Sequence, residues 1–185
     1  MTTQMTTSEI ARAQPVIETE RFDLRPLRMS DAGLLALYAG DERVARNTSS
    51  IPHPLPPGAA EAFVARAQST EGSECVWAMD GSKSGGAELM GVISLKQVEA
   101  GQCELGFWVA PAFWNAGVAS CAVEALIARN PGGCRMLFAT VFQDNPASAR
   151  VLTNCGFTYI GDAEAFSVAR GAKVATWTYS LKLAH

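Results

Sequence analysis

The sequence has 185 residues, of which 48% are hydrophobic and 18% are charged, and its formal net charge is −3. This composition indicates one ordinary globular domain and lacks the clustered Lys and Arg on which nucleic-acid binding relies. No run approaches the roughly 18 apolar residues of a membrane span, and two His residues leave too few ligands for a structural zinc site.

The start of the chain and its cysteines suggest where the protein works. Residues 1–14 are polar and contain no apolar segment of the kind that a secretory signal requires. We therefore expect a flexible tail over residues 1–14 and a single domain over residues 15–185. Five cysteines lie in apolar sequence without a CxxC pair or a Cys/His cluster, namely Cys75, Cys103, Cys121, Cys134 and Cys155. Their spacing favours buried free thiols in a reducing cytoplasm, with no metal site.

The first part of the domain is predicted to be one strand followed by helices. Residues 16–28 alternate apolar and charged side chains, which predicts a strand that ends near Pro26. Ser30 and Asp31 can cap a helix that runs to about Tyr38, and helical turns are expected over residues 42–46 and 61–68. Four prolines within residues 47–58 predict an extended, stiff loop between them.

Three antiparallel strands follow, over residues 74–80, 87–99 and 102–109. Side chains alternate across a sheet, so Cys103, Leu105, Phe107 and Val109 are expected on one face of the third strand. Glu104, Gly106 and Trp108 are expected on the other face. Gly106 indicates a bulge or a close approach by another group.

The second half reads as helix, strand, helix and a final pair of strands. Apolar residues recur at helical spacing over residues 116–129, and "NPGG" ends that helix. A buried strand is predicted over residues 134–142. Asn145 can cap the next helix with Pro146 in its first turn, and Gly156 can end it. The closing strands turn near residues 170–171.

The segment "WNAGVA" at residues 114–119 offers a site for an anion. The first turn of a helix leaves about four backbone N–H groups without partners and carries a partial positive charge. Gly117 lets a ligand approach the backbone, and Ala116 and Ala119 leave that approach open. The alternative is a helix that merely begins at small residues.

The order of elements, together with "ELGFWVAPAFWNAGVASCAVEAL" and "FQDNPASARVLTNCGF", resembles the GNAT superfamily of acyl-CoA-dependent N-acyltransferases. Within it, the chain is similar to the RimJ/RimL-like ribosomal-protein N-terminal acetyltransferases, over nearly all residues after Val16. The resemblance implies an α/β (α+β) fold, with a mixed, mostly antiparallel and V-splayed sheet flanked by helices. It also implies acetyl-CoA as co-substrate, with no metal.

The resemblance implies where acetyl-CoA is bound. Its pantetheine arm would lie between the strand of residues 104–109 and that of residues 134–142. The residues implied for cofactor binding are Phe107, Trp108, Val109, Trp114, Asn115, Ala116, Gly117, Val118, Ala119 and Asn145. Three positions depart from the pattern: Trp114 replaces Gln or Arg, Ala116 stands where the subgroup often has Lys, and Leu152 stands where many members have a Tyr acid.

Two residues are candidates for catalysis. Glu104 is an acid in an otherwise apolar strand and could act as general base through a water, or it could be a solvated or ion-paired strand residue. Ser148 could protonate the departing thiolate, or it could be a first-turn helix residue bonded to backbone. Backbone N–H groups near Trp108 and Val109 could stabilise the oxyanion.

The function implied is transfer of an acetyl group from acetyl-CoA to a primary amine by direct attack. The subgroup favours the N-terminal α-amine of a protein or peptide, and a small-molecule amine is the alternative. A non-catalytic acyl-CoA sensor and a nucleotide-binding protein are further alternatives. We expect a cytoplasmic protein without nucleic-acid or membrane partners, and a homodimer is left open.

Overall fold

An eight-stranded sheet runs through the protein, and a computed structural model describes it for residues 14–184. The strands are β1 Ile17–Glu18, β2 Asp23–Pro26, β3 Glu74–Asp80, β4 Gly91–Glu99, β5 Gln102–Val109, β6 Met136–Phe142, β7 Thr158–Ser167 and β8 Ala172–Lys182. Their order is β1-β2-β3-β4-β5-β6-β8-β7. Neighbours are antiparallel except β5 and β6, which are parallel, so the sheet is mixed and mostly antiparallel as predicted. The tail predicted over residues 1–14 lies outside the described residues, apart from Gln14.

Helices pack on both faces of the sheet. They are α1 Ala32–Ala39, α2 Glu42–Ala45, α3 Ala59–Gln68, α4 Val118–Arg129 and α5 Pro146–Asn154. Buried side chains of α1 and α3 pack with one face of β3 and β4. Buried side chains of α4 and α5 pack with the opposite face of β5 and β6. Among residues 14–184, no helix combines the length and the apolar character needed to cross a membrane.

Several predicted elements have different bounds. The strands predicted over residues 87–99 and 134–142 begin at Gly91 and Met136, and the helix predicted over residues 61–68 begins at Ala59. The strand predicted over residues 16–28 is a hairpin of β1 and β2, because Thr19 closes a tight turn through its amide and its hydroxyl, which both donate to the carbonyl of Phe22. The helix predicted from Ala116 begins at Val118, because Asn115 and Gly117 adopt left-handed backbone conformations with φ of 59° and 73°.

Gly106 accommodates a neighbour and forms no bulge. It pairs in register with Ser94 of β4, and a Cβ at Gly106 would lie 3.2 Å from the hydroxyl oxygen of Ser94. The register shift between these strands lies between Gln97 and Glu99 instead. The predicted close approach is therefore made by the Ser94 side chain.

The expectation of five free thiols is wrong for one pair. Cys103 and Cys134 form a disulfide, with an S–S distance of 2.07 Å. The parallel register of β5 and β6 pairs Cys103 with Leu137 and brings the two cysteine Cα atoms to 6.2 Å, within the range that a disulfide spans. The spacing of the cysteines along the sequence does not predict this disulfide. Cys75, Cys121 and Cys155 are free, as expected, although only Cys75 is fully buried.

Candidate active site

The parallel strands β5 and β6 separate partway along their length. They pair at only three positions, Gln102 with Met136, Cys103 with Leu137 and Glu104 with Phe138. Beyond Glu104, β5 continues to Val109 and β6 continues to Phe142 without pairing to each other. Five strand residues at about 3.3 Å each give the gap a depth of roughly 17 Å. This gap, called the opening below, leaves one edge of β5 available to a ligand.

The far end of β5 presents backbone groups to the opening. Ala110 donates its N–H to the carbonyl of Met90 on the β4 side, at 2.8 Å. Successive backbone groups of a strand point to opposite sides, so the N–H of Val109 points toward the opening and that of Trp108 toward β4. The side chain of Phe107 packs on the α4 side of the sheet, and that of Trp108 packs on the α1 and α3 side.

The turn that leads into α4 exposes several backbone amides. Residues 114–117, called the entry turn below, pass through left-handed conformations at Asn115 and Gly117. The first helical hydrogen bond that follows joins the N–H of Cys121 to the carbonyl of Gly117 at 3.1 Å. Within residues 14–184, the amides of residues 115–120 have no protein acceptor in hydrogen-bonding geometry. The positive end of a twelve-residue helix therefore presents a group of unpaired N–H donors.

Side chains around the entry turn divide into structural anchors and open positions. Asn115, Ala116 and Gly117 are exposed, and Ala119 is half-buried. Val118 is buried in the core, so only its backbone can face a ligand. Exposed or small side chains therefore surround the start of α4.

Trp114 holds the entry turn against β5. Its indole N–H donates to the carbonyl of Val109 at 2.7 Å, and the Arg43 guanidinium lies 5.8 Å from its ring centroid. The preceding Phe113 makes an edge contact with Tyr38 of α1, with ring centroids 6.3 Å apart. The two bulky aromatics before the helix therefore fix the turn to β5 and to the helices beside it.

Asn145 and Ser148 form a reciprocal pair at the start of α5. The side-chain oxygen of Asn145 accepts from the backbone N–H of Ser148 at 3.4 Å, and its amide donates to the Ser148 hydroxyl at 3.0 Å. Because that hydroxyl already accepts a hydrogen bond, its own proton is left to donate to another group. Leu152 on the same helix is fully buried, so it is a packing residue.

Glu104 lies where the strands part. It is exposed, and it is the last β5 residue paired with β6. It lies opposite Lys96 of β4, but no ion pair joins Glu104 to any residue among 14–184. The side chain of Glu104 shares a face with Trp108, whereas Ser148 belongs to the helix on the opposite face. The two catalytic candidates therefore lie on opposite sides of the sheet.

A charged cluster fixes the segment that precedes α5. The Arg170 guanidinium donates to Asp144 at 2.6 Å and lies 5.0 Å from the ring centroid of Phe142. The hydrogen bond from Arg170 lowers the pKa of the Asp144 carboxyl, with help from the charge of Arg46. Asp144 therefore stays ionised at neutral pH and joins the β7–β8 turn to the end of β6.

One residue beside the entry turn was missed from the sequence. The Nη1 atom of Arg21 lies 3.3 Å from the point that a Cβ of Gly117 would occupy. Arg21 belongs to the turn between β1 and β2, and nothing in its local sequence marks it as part of the site.

Among residues 14–184, no group of three His, Cys, Asp or Glu side chains is arranged to hold a metal ion.

Comparison with protein families gives one match that spans most of the chain. The model of the acetyltransferase (GNAT) domain matches residues 21–158. These residues contain β5, the entry turn, α4, β6 and α5. The match therefore includes every candidate site residue.

Known proteins with similar sequence or structure agree with that match. The sequence is 28% identical over 177 residues to the uncharacterized N-acetyltransferase YoaA of Bacillus subtilis (strain 168), covering 90% of this chain and 96% of that protein. The structure resembles RimL, a ribosomal L7/L12 alpha-N-protein acetyltransferase in complex with coenzyme A, with a TM-score of 0.78 and 17% identity over 91% of this chain and 98% of RimL. It also resembles the microcin C7 self-immunity acetyltransferase MccE in complex with acetyl-CoA and AMP, with a TM-score of 0.77 and 16% identity over 89% and 94% of the two chains. At these identities, the solved structures establish a shared fold.

Proposed function

The chain belongs to the acetyltransferase (GNAT) family, and we propose that it transfers the acetyl group of acetyl-CoA to the α-amine at the N-terminus of a protein. As a member of this family it is an acetyl-CoA-dependent N-acetyltransferase. One observation supports the assignment of the site above all others: the opening between β5 and β6 leads to the unpaired amides at the start of α4.

The cofactor-binding residues follow from that arrangement. An extended pantetheine arm fits along the free edge of β5, where it would add hydrogen bonds as a further strand would, beside Phe107, Trp108 and Val109. The diphosphate fits the amides of residues 115–119, which supply N–H donors at the positive end of a helix. Trp114 contributes by holding the entry turn, since its indole N–H already donates to Val109. Asn145 orients Ser148 through two hydrogen bonds.

The residues around the opening fit a direct transfer. The unprotonated amine attacks the thioester carbonyl carbon, and the proton that its nitrogen gives up as the carbon–nitrogen bond forms passes to Glu104, directly or through water. The N–H of Val109 stabilises the negative charge that develops on the carbonyl oxygen. The carbon–sulfur bond then breaks, and the thiolate of coenzyme A leaves with a hydrogen bond from the Ser148 hydroxyl. Because Glu104 and Ser148 lie on opposite sides of the sheet, amine entry and thiolate departure do not compete for space.

Two features support a protein N-terminus as the acceptor. The sheet face that carries Glu104 is exposed at Thr140, in the middle of β6, so a peptide has room to approach there. An α-amine has a pKa near 7.7 to 8.0, so roughly 10–20% of it is unprotonated at pH 7, far more than of a Lys side chain, and a weak base suffices. The structural likeness to RimL is in keeping with this acceptor.

A matched pair of peptides tests the proposal. One peptide has a free N-terminus and an internal Lys, and the other has the same sequence with a blocked N-terminus. We expect mass spectrometry to find acetylation at the α-amine of the first peptide and none on the second. Acetylation of only the Lys side chain or of only small-molecule amines would refute the acceptor. Binding of acetyl-CoA without turnover on any amine would refute the catalytic role.

A further inference from the structure

Arg21 is held in place by its backbone. The turn between β1 and β2 is closed by Thr19, whose hydroxyl accepts from the N–H groups of Arg21 and Phe22 at 3.2 and 3.1 Å. The hydroxyl of Ser84, in the loop between β3 and β4, donates to the carbonyl of Arg21 at 2.8 Å. These contacts fix the direction from which the Arg21 side chain reaches the entry turn.

The guanidinium of Arg21 is unpaired in the part of the chain that the structure describes. Within residues 14–184, it forms neither an ion pair nor a side-chain hydrogen bond. The neighbouring Lys83 differs, because its ammonium group lies 2.7 Å from the carboxylate of Asp23 and also donates to the carbonyl of Thr19. Of these two cations at the turn, only Lys83 is neutralised by a nearby carboxylate.

The position of Arg21 is electrostatically unfavourable unless an anion is bound. Its Nη1 atom lies 3.3 Å from the Cβ position of Gly117, beside the positive end of α4 and its unpaired amides. A cation at this end of a helix is repelled by the helix dipole, which favours cations at the other end. An anion placed between the guanidinium and the amides would turn this repulsion into two sets of hydrogen bonds.

We propose that Arg21 binds the diphosphate of acetyl-CoA from the side facing the amides of α4. This inference rests on the proposed function, which places the diphosphate-binding site at the entry turn. Trp114 and Ala116 bring no charge to this turn, so Arg21 supplies a cation there. The planar guanidinium donates two parallel N–H groups, a geometry that matches phosphate oxygens.

Substitution of Arg21 tests the proposal directly. Arg21 is exposed and its side chain has no partner among residues 14–184, so Arg21→Ala should not lower the melting temperature of the unliganded protein. We expect calorimetry to show about tenfold weaker binding of acetyl-CoA, the equivalent of about 1.4 kcal/mol. Arg21→Lys should recover part of the loss, because it keeps the charge and loses the planar fork. The matched control is Arg129→Ala, which removes an exposed Arg from the other end of the same helix and should bind like wild type.

Analogues of the cofactor identify which phosphate Arg21 contacts. The loss of affinity caused by Arg21→Ala should persist with acetyl-dephospho-CoA, which lacks the 3′-phosphate. It should vanish with S-acetylpantetheine, which lacks the diphosphate. A loss that vanishes with acetyl-dephospho-CoA would assign Arg21 to the 3′-phosphate and overturn the proposal. Wild-type affinity of Arg21→Ala for acetyl-CoA would overturn only the role of Arg21. Wild-type protein that binds no acetyl-CoA would overturn the proposed function as well.

Discussion

Replacing Gly117 with Val should abolish acetyl-CoA binding while the fold persists. Gly117 has φ 73° and ψ 12°, a left-handed conformation that costs a side-chain-bearing residue about 1–3 kcal/mol. The added side chain would also cover the amides of the entry turn and displace the Arg21 guanidinium. Losing two charge-assisted hydrogen bonds, at about 1.5 kcal/mol or more each, makes binding at least roughly a hundredfold weaker.

The chain provides a matched control for this substitution. Gly58 is the residue before α3, and it has φ 79° and ψ −2°, so Gly58→Val imposes a similar backbone strain at a helix start outside the site. In thermal denaturation, the melting temperature of both variants should fall by about 2–4 °C for each kcal/mol by which the free energy of unfolding is lowered. Only Gly117→Val should lose acetyl-CoA affinity in calorimetry. The reasoning fails if Gly117→Val binds like wild type, or if Gly58→Val loses as much affinity.

Three further changes test other parts of the molecule. Glu104→Gln should lower kcat with little change in acetyl-CoA affinity, and a wild-type kcat in steady-state assays would remove Glu104 from the mechanism. Cys103→Ser should lower the free energy of unfolding in urea by about 3 to 4 kcal/mol, given a loop separation of 31 residues; wild-type stability would contradict the disulfide. Arg25→Ala leaves Asp31 and Asp80 without their shared partner, and should cost about 3 to 5 kcal/mol at pH 7. Burial opposes ionisation of Asp80, but hydrogen bonds from Ser82 and Arg25 outweigh it and lower its pKa, so this stabilisation is lost as pH falls below about 4. The difference in free energy of unfolding between wild type and Arg25→Ala should therefore become smaller as the pH is lowered in acid-denaturation experiments. A difference that stays constant with pH would contradict the role of the Arg25–Asp80 ion pair.

Local patterns in the sequence predicted the parts of the fold that local chemistry determines. The alternation along β5 placed Phe107 and Trp108 on opposite faces, as the structure shows, because each face of the strand meets a different layer of helices. Asn145 caps α5 as predicted, because a cap needs only a side-chain oxygen that accepts a hydrogen bond from the backbone N–H three residues later. The entry turn was singled out because small residues at a helix start are visible in the sequence, and its role in binding acetyl-CoA stays a prediction.

Contacts between distant parts of the chain could not be predicted in this way. Arg21 lies beside Gly117 because α4 packs against β1, the edge strand that precedes the Arg21 turn. Cys103 and Cys134 meet because of the register of two parallel strands, which spacing does not reveal. The bond from the Trp114 indole to Val109 likewise depends on the path of the turn and not on residue type.

The bridge between Cys103 and Cys134 closes a covalent ring over residues 103–134, which contains most of β5, the entry turn and all of α4. A protease that cuts one peptide bond inside this ring leaves both fragments joined through sulfur. The nicked protein would migrate as a single band on a denaturing gel without reductant and as two bands with it. Surface loops in this stretch can therefore be cleaved without releasing either half of the molecule.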